Sequence, residues 1–171
     1  MKKRILLFFT ALLAVLTFAS FNSGRAKAAS WGATKVFTTP KSTRGTWYYK
    51  EDGKVKTLRI TAHAVNGVKT YKVLRGKAEK KWNAKFAKAD EKSDFKLENK
   101  VSTKQLEAYT YKYRGITGFN ANGWLAGTGN GFYYVPVKRT VKGKKVKALR
   151  VGSGVKNYLS YYAYKSKKLA K

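Results

Sequence analysis

Apolar and polar residues alternate along the early part of the chain, on both sides of two short turn signals. The first signal, Asp52-Gly53, favours the two-residue type I′ turn of a β-hairpin. Counting outward from this turn pairs Trp47 with Leu58 and Gly45 with Ile60. The pattern therefore predicts a first hairpin with Trp47 and Leu58 on its apolar face.

The second signal, Asn66-Gly67, predicts another hairpin directly after the first. The pairs that follow from it are Val65 with Val68, Ala62 with Tyr71 and Ile60 with Val73. Both turns place the large apolar residues on one face, although two independent turns need not agree. The predicted core face carries Trp47, Leu58, Ile60, Ala62, Tyr71 and Val73. The predicted solvent face carries Thr46, Tyr48, Thr57, Arg59, Thr61, His63, Thr70 and Lys72.

A last hairpin is predicted between residues 133–141 and 145–151, followed by a closing strand over residues 158–164. A three-residue loop at Lys142-Gly143-Lys144 pairs Val137 with Leu149, whereas a two-residue turn pairs Val135 with Arg150. The longer loop matches the apolar faces better, so we predict it, with Pro136 pointing outward.

The segment from residue 77 to residue 107 is ambiguous. Trp82, Phe86 and Ala89 have helical spacing, while Trp82, Ala84 and Phe86 also alternate as in a strand. We predict a strand because the neighbouring segments are strands. Composition predicts a loop at residues 90–94, and the capping-box pattern at residues 102–105 predicts one helical turn.

The glycine-rich stretch between Gly115 and Gly131 leads into the strand pattern Phe132-Tyr133-Tyr134-Val135. A phosphate-binding loop would instead open a helix. We therefore predict tight turns and kinked strands there.

These elements define an all-β fold of about seven to nine short strands. We predict a single antiparallel meander that closes into a β-barrel, with a β-sandwich as the alternative. The predicted organisation is a signal peptide at residues 1–28, an N-terminal strand or linker at 29–44 and a β domain at 45–171.

The N-terminus has the pattern of a secretory leader. Basic residues at positions 2–4 precede an apolar run from Ile5 to Phe21 and an Ala-x-Ala site, which predicts cleavage after Ala28 or, alternatively, after Ala29. An uncleaved membrane anchor is the other interpretation, but the run is near the short limit for a span. Cleavage removes five of the 38 basic residues, which leaves 33 against 8 acidic residues and a net charge of +25.

Two resemblances add to this picture. Gly45-Thr46-Trp47-Tyr48 resembles the Gly-x-Trp-Tyr signature of the lipocalin and wider calycin families. That resemblance implies a lipocalin-like barrel with one end closed by Trp47 against a late-strand arginine, for which Arg150 is the candidate. Residues 40–60 and 142–154 resemble small Lys- and Tyr-rich exported proteins of lactic acid bacteria, which implies an extracellular protein of a Gram-positive cell without indicating an activity.

The sequence offers little for catalysis. It contains no cysteine, and its single histidine, His63, falls on the solvent face. We find no nucleophile motif, calcium loop or paired acids, so we predict no catalytic residue, metal or cofactor. An extracellular enzyme of unknown type ranks third among our hypotheses.

The charge indicates a polyanion as the partner. Lysine, which outnumbers arginine by 30 to 8, makes diffuse contacts with phosphates. We expect a monomer that associates with an anionic cell-wall polymer or an anionic lipid surface, whereas export disfavours nucleic acid. The candidate binding residues are Lys142, Lys144, Lys145 and Lys147. Carriage of a small apolar ligand inside the barrel is the alternative.

Overall fold

Nine strands and one helix make up the described part of the chain. The structure, a computed structural model, describes residues 33–90, 101, 104–124, 126 and 129–171. The elements are β1 (Gly45–Glu51), β2 (Lys54–Ile60), β3 (Ala64–Val65), β4 (Val68–Lys72), α1 (Lys77–Asp90), β5 (Gln105–Tyr113), β6 (Ile116–Gly123), β7 (Phe132–Val141), β8 (Lys144–Ser153) and β9 (Tyr158–Tyr164). Short 3₁₀ turns cover Lys41–Thr43 and Lys167–Leu169. The predicted all-β class is confirmed.

Several predictions fall outside the described residues. They concern the leader with its Ala28 and Ala29 cleavage sites, most of the loop at residues 90–94, and the start of the capping-box pattern at residues 102 and 103.

The strands form one sheet in chain order, and the sheet closes because β1 pairs with β9 at Tyr48 and Tyr164. Every neighbouring pair is antiparallel except β4 and β5, which run parallel from Lys69 beside Gln105. Nine strands cannot alternate in direction around a closed ring, because an odd number leaves one pair pointing the same way. The prediction of a wholly antiparallel meander is therefore wrong at this one pair.

The predicted strand near Trp82 is also wrong, because residues 77–90 form the helix α1. Lysine and alanine supply nine of the fourteen residues of this segment and are good helix formers. Glu79 in the first turn and Lys88 in the last turn also complement the helix dipole. Parallel strands need a long crossover connection, and α1 lies within the one that joins β4 to β5.

The first hairpin has the predicted register. Trp47 lies opposite Leu58, Gly45 opposite Ile60, and the turn residues Asp52 and Gly53 have φ angles of 50° and 74°. Both φ angles are positive, as the type I′ turn requires.

The second hairpin has the predicted register only next to its turn, where Val65 pairs with Val68. Strand β2 ends at Ile60, and the chain reverses through residues 61–64, where the Thr61 N–H donates to the Ala64 carbonyl at 2.9 Å. Ile60 consequently pairs with Val65, so the predicted pairs of Ile60 with Val73 and of Ala62 with Tyr71 are wrong.

The edge of β4 beside Tyr71 is occupied by residues 35–37. The Lys72 N–H donates to the Lys35 carbonyl at 2.7 Å, and the Phe37 N–H donates to the Thr70 carbonyl at 3.0 Å. Phe37 is buried in the core, where its ring lies 5.9 Å from that of Phe119. Thr70, predicted on the solvent face, is therefore buried beneath this segment.

The last hairpin has the two-residue turn and not the predicted three-residue loop. Lys142 and Gly143 form the turn with φ angles of 49° and 75°, and Val135 lies opposite Arg150. Pro136 consequently shares a face with Leu149 and does not point outward. Matching apolar faces misled the prediction because both faces are covered here: Val135 is 0% exposed and Arg150 is 7% exposed.

Large side chains fill the interior of the closed sheet. The buried cluster includes Trp47, Ile60, Phe119, Tyr134 and Leu149, and each is at most 5% exposed. A second cluster lies on the outer side of β8 and β9 and consists of Ala148, Tyr164 and Ala170, with partly buried neighbours packed against it.

The described part of the glycine-rich stretch contains a tight turn, as predicted, and a close contact between two strands. Gly115 completes the turn between β5 and β6 with a φ angle of 78°. A Cβ atom at Gly118, in β6, would collide with the Tyr134 carbonyl of β7. Glycine at position 118 therefore allows these two backbones to approach.

Candidate anion-binding site

The hairpin of β7 and β8 extends beyond its neighbours at the end of the sheet where β1 begins. Strand β6 pairs with β7 only at residues 132–134, and β9 pairs with β8 only from Ala148 onward. Within the described registers, the strand residues of 138–147 therefore pair only with one another, as the two strands of one hairpin. Pro136, which has no N–H to donate, lies just beyond the last β6 pair. We call residues 138–147 the basic arm.

The basic arm carries six basic residues and no acidic one. They are Lys138, Arg139, Lys142, Lys144, Lys145 and Lys147. The structure thus brings the four predicted polyanion-binding lysines together, each with an exposed position on this arm.

Lys138 lies directly opposite Lys147 across the two strands of the arm. Like charges in directly opposed positions destabilise a sheet. The arm therefore bears an electrostatic cost that a bound anion would relieve.

Aromatic rings hold two arginines in fixed planes, Arg139 within the arm and Arg150 beside it. The Arg139 guanidinium lies 3.9 Å from the centre of the Tyr162 ring and donates to the Tyr164 hydroxyl at 2.6 Å. The Arg150 guanidinium lies 4.5 Å from the centre of the Tyr113 ring. Planar guanidinium groups that are already oriented suit the paired oxygens of a phosphate or carboxylate.

Arg150 is also anchored by hydrogen bonds. It donates to the Asn157 side-chain oxygen at 2.7 Å and to the Asn157 carbonyl at 2.8 Å. Together with Arg114, Arg139 and Lys138, it lines a depression of about 260 Å³ that we call the arginine depression. Of the described residues, none that lines it is acidic.

A larger groove of about 620 Å³ adjoins the arginine depression and shares Ile116, Val137 and Lys138 with it. Its apolar lining consists of Trp47, Ile116, Pro136, Val137 and Ala148. Its polar lining consists of Ser42 and four lysines, Lys41, Lys138, Lys147 and Lys165. The groove thus combines an apolar floor with a cationic rim.

Trp47 and Lys165 meet at the floor of this groove. The Trp47 indole N–H donates to the Thr43 carbonyl at 2.7 Å, and the Lys165 Nζ lies 3.6 Å from the centre of the indole ring. Lys165 also donates to the Arg44 carbonyl at 2.8 Å. Burial lowers the pKa of the Lys165 ammonium, and the positive charge of Lys147 lowers that pKa further.

The expected partner of Trp47 was Arg150, but the structure places Lys165 there and holds Arg150 against Asn157. Gly45 does belong to this end: its φ angle is 112°, and a Cβ atom there would collide with the Lys165 ammonium. Nothing in the sequence distinguishes Lys165 from the other lysines near the C-terminus, so the pattern did not reveal it.

Comparison of the chain with protein-family models, curated proteins and solved structures finds no match. The assignment of a site therefore depends on the geometry of the chain itself.

Other chemistry is sparse in the part of the chain that the structure describes. His63 is exposed, as predicted, and its Nδ1 lies 3.1 Å from the Phe37 carbonyl oxygen. The described residues contain no group of three or more His, Asp or Glu side chains placed to hold a metal ion. None of the helices within the described ranges has the length and apolar character needed to span a membrane.

The opposite end of the sheet has a different character. A cavity of about 460 Å³ opens there, lined in part by Tyr49, Leu58, Tyr134 and Tyr161. The rings of Tyr49 and Tyr161 stack with their centres 4.0 Å apart. Burial raises the pKa of both Tyr134 and Tyr161, so these hydroxyls stay neutral at physiological pH. This end therefore offers aromatic surface with less positive charge.

Proposed function

We propose that the protein is a secreted, non-catalytic binding protein that associates with phosphate-bearing polymers of the cell surface. The basic arm carries the proposal, since it concentrates six basic residues without an acid on a projecting hairpin. Such a hairpin can approach a polymer chain without a deep pocket. The arginine depression beside it adds oriented donors for individual phosphate groups.

Secretion is part of the proposal and is supported by the leader pattern of residues 1–28. The resemblance to small exported proteins of lactic acid bacteria also favours an extracellular location. We expect the mature protein to begin at Ala29 or Ser30, which intact-mass analysis of culture supernatant measures. A full-length species retained in the membrane would contradict this expectation.

We further interpret the closed sheet as a lipocalin-like barrel. A 3₁₀ turn at Lys41–Thr43 precedes β1, and Trp47 lies beneath a cation at that end. The nine strands and the parallel pair distinguish it from a simple up-and-down barrel.

Binding that neutralises phosphates should weaken steeply with salt. Each contact releases counterions, and the Debye length falls from about 10 Å at 0.1 M to about 3 Å at 1 M. We expect purified mature protein to adhere to phosphate-bearing cell walls at low ionic strength and to elute in roughly molar salt without denaturant. The measurement is the bound fraction at increasing salt.

The matched control is a wall preparation stripped of its anionic polymers. Equal adhesion to stripped walls, or adhesion that survives molar salt, would refute the electrostatic mechanism.

Carriage of a small apolar ligand is the second candidate function, favoured by the tyrosine-lined cavity at the opposite end. Since large side chains fill the interior, we place such a ligand at the mouth of the sheet and not deep inside it. Stoichiometric displacement of a neutral hydrophobic dye by an apolar ligand, weakened by Tyr161→Ala, would support this function. Absence of dye binding would refute it.

A further inference from the structure

We propose that the lysine-rimmed groove beside the basic arm binds an alkyl chain that carries a phosphate group. This inference extends the proposed function, because it assigns a lipid-bearing phosphate as a specific ligand of a surface that otherwise binds phosphate polymers diffusely. The alkyl chain lies in the groove, and the phosphate lies among the neighbouring basic side chains.

The dimensions and lining of the groove suit an apolar chain. Its volume of about 620 Å³ falls within the range of about 300–1,000 Å³ that is typical of small-molecule sites. Five of its lining residues are apolar, and Ile116 is 39% exposed on its wall. Covering this apolar surface with an alkyl chain removes it from water, which is favourable in proportion to the area buried.

The rim specifies an anionic head group. Four lysines surround the apolar floor, and no described residue that lines the groove is acidic. Lys138 and Lys147 already oppose each other across the strands, and Lys165 lies over the Trp47 ring. A neutral ligand would leave these charges unbalanced, whereas an anionic head group neutralises them.

The neighbouring arginine depression favours phosphate as that anion. It shares Ile116, Val137 and Lys138 with the groove, so a head group there remains next to a chain in the groove. Arg139 and Arg150 are held in plane by stacking and hydrogen bonds. A phosphate can accept from several such donors and carries more than one charge for the cluster to balance.

The experiment is calorimetric titration of the mature chain with three probes: decyl phosphate below its micelle concentration, decanol and inorganic phosphate. Decyl phosphate has both chemical parts, and each of the others has only one. We expect decyl phosphate to bind with one-to-one stoichiometry and at least tenfold more tightly than either of the other probes. Equal affinity for inorganic phosphate and decyl phosphate would overturn the proposal.

Two variants test where the alkyl chain of the ligand lies. Ile116→Gln places a polar side chain on the groove wall and should weaken decyl phosphate binding about tenfold. The matched control is Val155→Gln, since Val155 is 74% exposed and does not line the groove. An equal loss in both variants would overturn the placement in the groove.

One variant locates the head group. Lys147→Gln removes one charge from the rim and should weaken decyl phosphate severalfold without changing the affinity for decanol. Unchanged decyl phosphate binding in this variant would overturn the assignment of the rim.

The test separates this inference from the proposed function. Failure of decyl phosphate to bind, with salt-sensitive adhesion to cell walls intact, would overturn the groove site alone. If the native chain binds decyl phosphate but does not adhere to cell walls, the polymer-binding function is overturned and the groove site stands.

Discussion

Replacing Trp47 with alanine should lower the free energy of unfolding by about 3–5 kcal/mol. The side chain is 2% exposed and packs in the interior cluster opposite Leu58. The substitution also removes the hydrogen bond to the Thr43 carbonyl and the ring beneath Lys165. Such a loss is a large fraction of the stability of a small domain, for which the total is about 5–15 kcal/mol.

Denaturant unfolding of the two proteins measures this change. Tyr158→Ala is the matched control, because Tyr158 is an aromatic residue of β9 that is 63% exposed. We expect the control to change the free energy of unfolding by less than about 0.5 kcal/mol. A denaturant midpoint unaltered by Trp47→Ala would contradict the packing described for this end of the sheet.

Reversing the charge of four lysines on the basic arm should reduce cell-wall adhesion by about 100-fold or more at low salt, because binding of this kind depends steeply on the number of phosphate contacts. The substitutions are Lys142→Glu, Lys144→Glu, Lys145→Glu and Lys147→Glu. Introduced one at a time, they should lower the affinity in graded steps. The thermal midpoint should not fall, since Lys147→Glu replaces the repulsion with Lys138 by an attraction.

The control reverses four exposed lysines outside the arm, Lys50, Lys54, Lys69 and Lys72, and therefore has the same net charge. If adhesion depends on the arm, this control should retain most of the affinity. An equal loss in both variants would show that only net charge matters and that the arm has no special role.

The two ends of the sequence differ in how far local pattern determined the structure. Asp52-Gly53 fixed the first hairpin because its turn type is strongly preferred and only one face of that hairpin is buried. The last hairpin lacked both advantages. Lys142-Gly143 is a weaker turn signal, and both faces of the hairpin are covered around Val135. Apolar periodicity cannot select a register when both faces are buried.

The helix and the parallel pair could not be predicted from short stretches of sequence, because both depend on how distant strands pair. The segment around Trp82 fits both periodicities, and the decision depends on the need for a crossover between β4 and β5. The site divides in the same way. Lys142, Lys144, Lys145 and Lys147 lie close together in sequence and were predicted as binding candidates. Arg114 and Lys165 were not predicted, and Arg150 was predicted only as the partner of Trp47, because these residues reach the depression and groove from three separate segments.

The parallel pair also affects how the sheet assembles. It divides the strands into two series, β1 to β4 and β5 to β9. Within each series, every strand pairs antiparallel with the next strand along the chain. Contacts inside each series join residues that are close in sequence, whereas the β4–β5 and β1–β9 joins connect distant residues. Bringing distant residues together costs loop-closure entropy before it gains contacts. We therefore expect the folding rate to be set by these two joins, with each series of hairpins formed before the ring closes.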